Sequence, residues 1–331
     1  MMNALTLLTL LLPTVLGWDY TVELTVDRST KYQVVDGWGC SEAFQRATDV
    51  LGRYGLSPQN QSYVLDLLFD VEKGAGFTIL RNGIGSSNSS KGNLMNSIEP
   101  YAPAGPNATP NYTWDHYSSG QFPLSQDARA RGLPYIYADA WSAPGFMKTN
   151  DDENNGGYLC GVEGTHCSTG DWKQAYANYL IQFWKYWNDA GVPITHLGFL
   201  NEPSFAPDYA SMQSNGTQAA DFIRVLGKTI QKENIDVEIV CCDDYGWEQQ
   251  EALMAGLAAP DENGNSGESY LSVISGHGYA SPPDFQLSTS LRVWETEWAD
   301  LTGDYTPYEF WNHSGPGEGL TWASRIQVAR L

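Results

Sequence analysis

Basic side chains are scarce in this sequence: 18 Lys and Arg stand against 39 Asp and Glu, for a formal net charge of −21. So acidic a chain repels phosphate backbones and anionic bilayers, which argues against nucleic acid or a membrane surface as a partner. No apolar run after the N-terminal one approaches the ~20 residues needed to span a bilayer. No Gly-rich phosphate loop follows the first apolar strand and no Walker pattern occurs, which counts against a nucleotide-binding doubly wound sheet. The five His are scattered, and no Cys/His spacing matches a zinc site. Neither a metal nor another cofactor is therefore expected.

Cysteine is sparse and odd in number, at five. Cys160 and Cys167 flank a short Gly-containing loop and are the predicted disulfide of an oxidising compartment. Cys241 and Cys242 sit side by side in a β-branched run, where buried free thiols are the expectation.

What is present points outward from the cell. Met1–Gly17 reads as a signal peptide, with an apolar core at Leu5–Leu12 and a cut before Trp18, although its first residues carry no Lys or Arg. Asn60, Asn88, Asn107, Asn111, Asn215 and Asn312 each open an N-x-S/T triplet, the acceptor pattern of a secreted glycoprotein. The 12 Trp and 19 Tyr suit either a ring-rich core or the C–H faces of sugars.

Tyr20, Val22, Leu24 and Val26 alternate with polar residues, which predicts a half-buried strand within 18–33. From Val34 onward, short apolar runs alternate with helical stretches. Predicted strands are Val34–Trp38, Phe77–Ile84, Tyr135–Ala140, Ile194–Leu200, Val237–Cys242, Leu271–Ser275 and Leu291–Trp298. Predicted helices are Gln59–Leu68, Trp172–Ala190, Thr217–Glu233 and Glu248–Ala258. Continuous apolar strands alternating with helices indicate a parallel sheet covered by helices. Asn201, Glu202, Asp243, Asp244, His277, Tyr279 and Glu297 all follow or end strands, as active-site residues do in a (β/α)8 barrel. The reading is an α/β, TIM-type barrel over 34–331. Between Ser86 and Leu133 an elaborated loop over the cleft is expected.

Two carboxyl groups carry the chemistry. Glu202 follows an apolar strand in Gly198-Phe199-Leu200-Asn201-Glu202-Pro203, and Pro203 forces the chain away from it. In Val293-Trp294-Glu295-Thr296-Glu297-Trp298, period two puts Glu295 and Glu297 on one face, with Glu297 nearer the cleft. Glu295, one layer deeper, needs a buried partner, for which Arg81 is the candidate. A pair of carboxyl groups, one protonated and one ionised, is what glycoside hydrolysis requires.

At these residues the chain resembles glycoside hydrolase family 30. The resemblance runs through Asp36-Gly37-Trp38-Gly39, Leu80-Arg81-Asn82-Gly83, Trp141-Ser142-Ala143-Pro144, Asn201-Glu202-Pro203, Gly276-His277-Gly278-Tyr279 and Thr296-Glu297. It implies a retaining mechanism with Glu202 as acid/base and Glu297 as nucleophile. By the same resemblance Asn201 would bind the sugar 2-hydroxyl, Tyr279 would orient Glu297, Arg81 would keep it ionised, and Trp141 would wall the subsite. His277 is a subsite residue or a hydrogen-bonded core residue. The fungal xylanases of the family are the most similar group. In some of them the segment matching Phe44-Gln45-Arg46-Ala47 places an Arg for a glucuronic acid branch, so Arg46 is either that clamp or a rim salt bridge.

The resemblance therefore implies an endo-β-1,4-xylanase or glucuronoxylanase, acting on polysaccharide as a monomer. An endo-β-1,6-galactanase or β-1,6-glucanase is the alternative within the family. A noncatalytic carbohydrate-binding barrel is the alternative outside enzymes, and two intact carboxylates argue against it. Family members continue into an eighth strand and helix and a β side domain that would partner Tyr20–Val26. The chain as written is accordingly expected to be an incomplete barrel and a poor enzyme alone.

Overall fold

Seven parallel strands in sequence order carry the fold. The structure is a computed structural model that describes residues 29, 31–42, 46–88, 95–299, 301 and 319–328. Residues Gln33–Leu331 form one unit. Of the segment before it only 29, 31 and 32 are described, so the signal peptide and the Tyr20–Val26 strand lie outside the described residues.

The elements run β1 (Gly39–Ser41), α1 (Arg46–Thr48), α2 (Pro58–Phe69), β2 (Ile79–Ile84), α3 (Gln121–Ala130), β3 (Tyr135–Ala140) and α4 (Lys173–Asp189). They continue with β4 (His196–Leu197), α5 (Gly216–Glu233), β5 (Glu238–Asp244), α6 (Trp247–Ala258), β6 (Val273–His277), β7 (Arg292–Glu297) and α7 (Gly319–Val328). Each strand pairs in parallel with the next. The result is a nearly closed, incomplete TIM-like barrel. Side chains reach across from its last strand towards its first: Asp36, just before β1, accepts from Trp294 Nε1 at 2.8 Å and from Arg292 at 3.3 Å.

Local chemistry explains the helix starts. Ser57 caps α2, accepting from Asn60 N, and Pro58 occupies a first-turn position where its missing N–H costs nothing. Asn215 and Gln218 form a reciprocal capping box on α5. Part of the ring surplus goes to the core. Tyr176, Tyr179 and Trp187 of α4 are fully buried, and Tyr176 stacks on Phe222 of α5 at 5.0 Å.

Four expectations are corrected here. The first strand is Gly39–Ser41, not Val34–Trp38; Val34 and Val35 are exposed. Gly39 lies tight against β2: a Cβ on it would be 2.1 Å from the Ile79 carbonyl oxygen, so only Gly permits the approach. The segment from Ser86 to Leu133 is not all loop, for it contains α3. Pro123 hides that helix from a sequence reading, yet it falls in the first turn, where proline is tolerated. Cys241 and Cys242 are bonded to each other rather than free, and Cys40 is a free thiol. Neighbouring side chains in a regular strand point to opposite faces, which is why adjacency in the sequence does not suggest a bond. Finally, Thr296 breaks the period of two in β7. Gly276 pairs with Glu295 but the next residue, His277, pairs with Glu297.

The Cys160–Cys167 bridge is present, with its Cα atoms 5.6 Å apart. Asn60, Asn88, Asn107, Asn111 and Asn215 are exposed, and Asn312 lies outside the described residues.

Candidate active site

The C-terminal ends of the strands converge on one guanidinium. Arg81 of β2 is 3% exposed, and its NH1 donates to Glu297 Oε2 of β7 at 2.6 Å. Its NH2 donates to Asn201 Oδ1 at 2.6 Å, to Asp243 Oδ2 of β5 at 2.8 Å and to Asp139 Oδ2 of β3 at 3.1 Å. Nε adds a second bond to Asp243 Oδ2 at 3.1 Å. The cation lies over the Trp141 ring, 4.4 Å from its centroid, which favours the charge further. Room for this cluster comes from Gly198 after β4: a Cβ there would lie 2.2 Å from Asp139 Oδ1 and 2.5 Å from the Tyr137 hydroxyl.

Glu202 faces Glu297 from the other side of the site. An oxygen of each, together with a ring nitrogen of His277, lies within 4.8 Å of the others. So close an approach of two carboxyl oxygens is compatible with the carboxyl spacing of retaining glycosidases, about 5–5.5 Å. Glu202 Oε1 is 3.0 Å from His277 Nδ1, and Tyr209 also hydrogen-bonds its carboxyl group. Its backbone takes a positive φ of 53°, and its N–H donates at 2.8 Å to the carbonyl of Asp243, itself at φ 51°. Two non-glycine residues in the left-handed region cost about 1–3 kcal/mol each and persist only where neighbours hold them. Pro203 contributes by disfavouring the right-handed helical alternative for Glu202.

Glu297 is held as an anion. Burial pushes its carboxyl up, but the His277 and Arg81 cations and the Tyr279 hydroxyl outweigh burial and bring it below the usual carboxylate range. Tyr279 donates to Glu297 Oε1 at 3.0 Å. His277 shows the opposite balance. Burial pushes the ring down, whereas the Glu297 charge, the Asp243 carboxylate 3.8 Å from Nε2 and the hydrogen bond to Glu202 push it up to about 10. Asp243 stays charged despite complete burial, because Arg81 and His277 offset its desolvation. Asp139, buried beside Asp243, is raised well above the carboxylate range, first by desolvation.

Glu202, His277 and Glu297 have metal-like spacing among the described residues. An imidazolium has no lone pair to donate, so a protonated His277 makes the trio a poor cation site.

These shifts set a pH dependence. The His277 contribution to stability is fully present below its ordinary value of 6.5 and is lost as pH rises through about 10. The Glu297 contribution is present above its ordinary 4.5 and is lost as pH falls through its lowered folded value. Urea melts of the wild type and of His277→Gln across pH 4–11 should diverge most below 6.5 and converge towards 11. A difference independent of pH would show that His277 is neutral in the fold.

The structure brings together most of the residues singled out from the sequence. Glu202, Glu297, Arg81, Asn201, Tyr279, His277 and Trp141 all meet here. His277 is 0% exposed, so it offers no surface to a sugar and acts on Glu202 instead. Trp141 is 1% exposed, with Arg81 over one face of its ring, so it presents no open wall. Arg81 makes no bond to Glu295. That carboxyl is pushed up to about 7, chiefly by burial, and its Oε1 has no hydrogen-bond partner. Arg46 begins α1, five residues beyond β1, and its side chain lies outside the described residues.

Residues 21–281 match the protein family described as O-Glycosyl hydrolase family 30. The chain belongs to that family. Among solved structures, this family 30 chain is similar to the catalytic domain of the GH30 xylanase C from Talaromyces cellulolyticus. The two are 48% identical at a TM-score of 0.82, covering 90% of this chain and 65% of that one. It is also similar to a subfamily 8 xylanase from Clostridium acetobutylicum, at 26% identity and TM-score 0.57, covering 90% of this chain and 62% of that one. Endo-1,6-beta-D-glucanase BGN16.3 of Trichoderma harzianum is 26% identical over 83% of this chain and 54% of its own length. The chain spans about half the length of the curated relatives it matches.

Sequence reasoning missed Asp139, Tyr137, Tyr209 and the bulged Thr296, whose hydroxyl donates to Asp243 Oδ1 at 2.8 Å. Asp139 did leave a signal, as a lone carboxylate in the apolar strand Tyr135–Ala140. Tyr209 left none, because it lies far from any strand end in the chain.

Proposed function

We propose that this chain is a retaining glycoside hydrolase of β-1,4-xylan, glucuronoxylan above all. The observation that carries the mechanism is the approach of a Glu202 carboxyl oxygen and a Glu297 carboxyl oxygen to within 4.8 Å, with only Glu297 clamped by Arg81. Glu297 attacks the anomeric carbon while Glu202 gives its proton to the departing glycosidic oxygen. Glu202 then takes a proton from water, and that water displaces Glu297 from the sugar, restoring the starting configuration. Tyr279 and Arg81 hold both oxygens of Glu297, fixing its line of attack. Arg81 occupies Asn201 Oδ1, which leaves the Nδ2 donor for a sugar hydroxyl. Support for xylan as the substrate comes from the 48% identity to the Talaromyces xylanase.

A β-1,6-glucanase is the second reading, favoured by the similarity to the Trichoderma enzyme. Digests of glucuronoxylan, arabinoxylan, β-1,6-galactan and β-1,6-glucan, with products sized and the first anomer read by proton NMR, test both. Cleavage of xylan with retention is expected. An inverted first product would end the mechanism, and turnover of the β-1,6-glucan alone would replace the substrate. The expected signal peptide at Met1–Gly17 and the exposed sequons support extracellular action.

Arg46 is proposed to clamp the glucuronic acid branch. A charge-assisted bond is worth about 1.5–3 kcal/mol, so Arg46→Ala should lose about ten- to a hundredfold in kcat/KM on glucuronoxylan and far less on unbranched xylan. Equal losses on both polymers would assign Arg46 to the fold instead.

A further inference from the structure

A cavity lined by polar and aromatic side chains opens on the same end of the barrel, beyond β2 and β3. Its volume is about 330 Å³. Ser86 lies two residues past β2, and Phe146 lies six past β3. Two side chains in its lining are buried yet incomplete. Glu99 is 2% exposed and its Oε1 has no hydrogen-bond partner; Ser86 is 3% exposed and its Oγ has none either. Buried polar atoms without partners cost about 1–3 kcal/mol each, so two such side chains in the lining of one cavity point to a ligand that completes them.

We propose that this cavity is a distal carbohydrate subsite that takes an uncharged pyranose unit of the polysaccharide, with Glu99 and Ser86 bonding its hydroxyls and Tyr101 stacking on its face. Sugar hydroxyls both donate and accept, which is what this pair needs. Burial pushes the Glu99 carboxyl up to about 7, so in acidic solution it carries a proton and can both give and take a bond. Tyr101 is 76% exposed on the lining, and Phe146 adds a second ring. Large exposed rings beside polar groups are what the C–H faces and O–H edges of a sugar match. Asp151 and Glu153 on the same lining repel a uronate, so an unbranched unit belongs here. Asn88, a sequon residue, also lines the cavity. A glycan on Asn88 would compete with substrate for the space.

The subsite rests on the polysaccharide reading above, and its test separates the two. Xylohexaose and xylobiose are titrated into the chain carrying Glu297→Gln, produced without glycosylation so that Asn88 is bare. The titrations are repeated with Glu99→Ala, with Glu99→Gln and with Tyr101→Ala added. Glu99→Ala and Tyr101→Ala should each weaken xylohexaose binding about tenfold and xylobiose binding less than twofold. Glu99→Gln keeps a donor and an acceptor and should restore most of the affinity. Tight xylohexaose binding unchanged by all three would overturn the subsite and leave the xylan reading intact. Binding of β-1,6-gluco-oligosaccharides in place of xylohexaose, with the same losses, would support the subsite and overturn xylan. No binding of either would overturn both, and loss reversed only by adding Ca2+ would make the cavity a cation site and overturn the subsite.

Discussion

Glu297→Gln should lower kcat on xylan by on the order of 10^4-fold or more, the scale seen when a covalent nucleophile is removed. The amide keeps the shape, and Tyr279 can still bond its oxygen, so polysaccharide binding should survive the loss of turnover. Glu202→Gln should fail differently. An aryl xyloside with a good leaving group departs without a proton, so the first step persists and a glycosyl–enzyme intermediate builds up because no base activates water. Added azide, which needs no base, should then release that intermediate as a glycosyl azide of retained configuration. Mass spectrometry of the trapped intermediate and NMR of the azide product check both halves. Rescue of Glu297→Gln in place of Glu202→Gln would exchange the two roles.

Arg81→Met should cost about 3–5 kcal/mol of stability, because removing one partner of a buried charge cluster leaves the others uncompensated. Asp243 is completely buried, and its two bonds from Arg81 balance its desolvation. The same change strips Glu297 of its shortest bond, so activity should fall as well. Arg81→Lys keeps a charge but cannot reach Glu297, Asn201, Asp139 and Asp243 together, and should fall between wild type and Met. The decisive case is the double variant Arg81→Met with Asp243→Asn. If uncompensated charge is the cause, urea denaturation should show the double variant more stable than Arg81→Met alone. An Arg81→Met chain within about 1 kcal/mol of wild type would mean that Arg81 is not the balancing charge.

Much of this protein was already legible in its residues. Strand and helix alternation places Tyr135–Ala140 at its observed bounds and α5 within one residue, since patterns of apolar burial are local and periodic. Glu202 and Glu297 stand out because a carboxylate ending an apolar run has few structural explanations. Arg81, next to Leu80 in a buried strand, had to find anionic partners for the same reason.

Other features were decided only by the tertiary structure. Thr296 and Glu297 both reach the central cluster because β7 bulges against β6, and no spacing rule within one strand shows a bulge imposed by its neighbour. The partners of Arg81 come from β3, the segment after β4, β5 and β7, whose meeting depends on barrel curvature and on the absence of a side chain at Gly198. His277 turned from a possible sugar contact into the buried neighbour of Glu202, because burial belongs to the packed assembly and not to the residue. Residue types and their periods determined the barrel class and the two carboxylates, since those follow from local hydrophobicity and charge. Which charges pair, which are buried and which cavities stay open were settled by packing, where distances across the barrel are independent of separation along the chain.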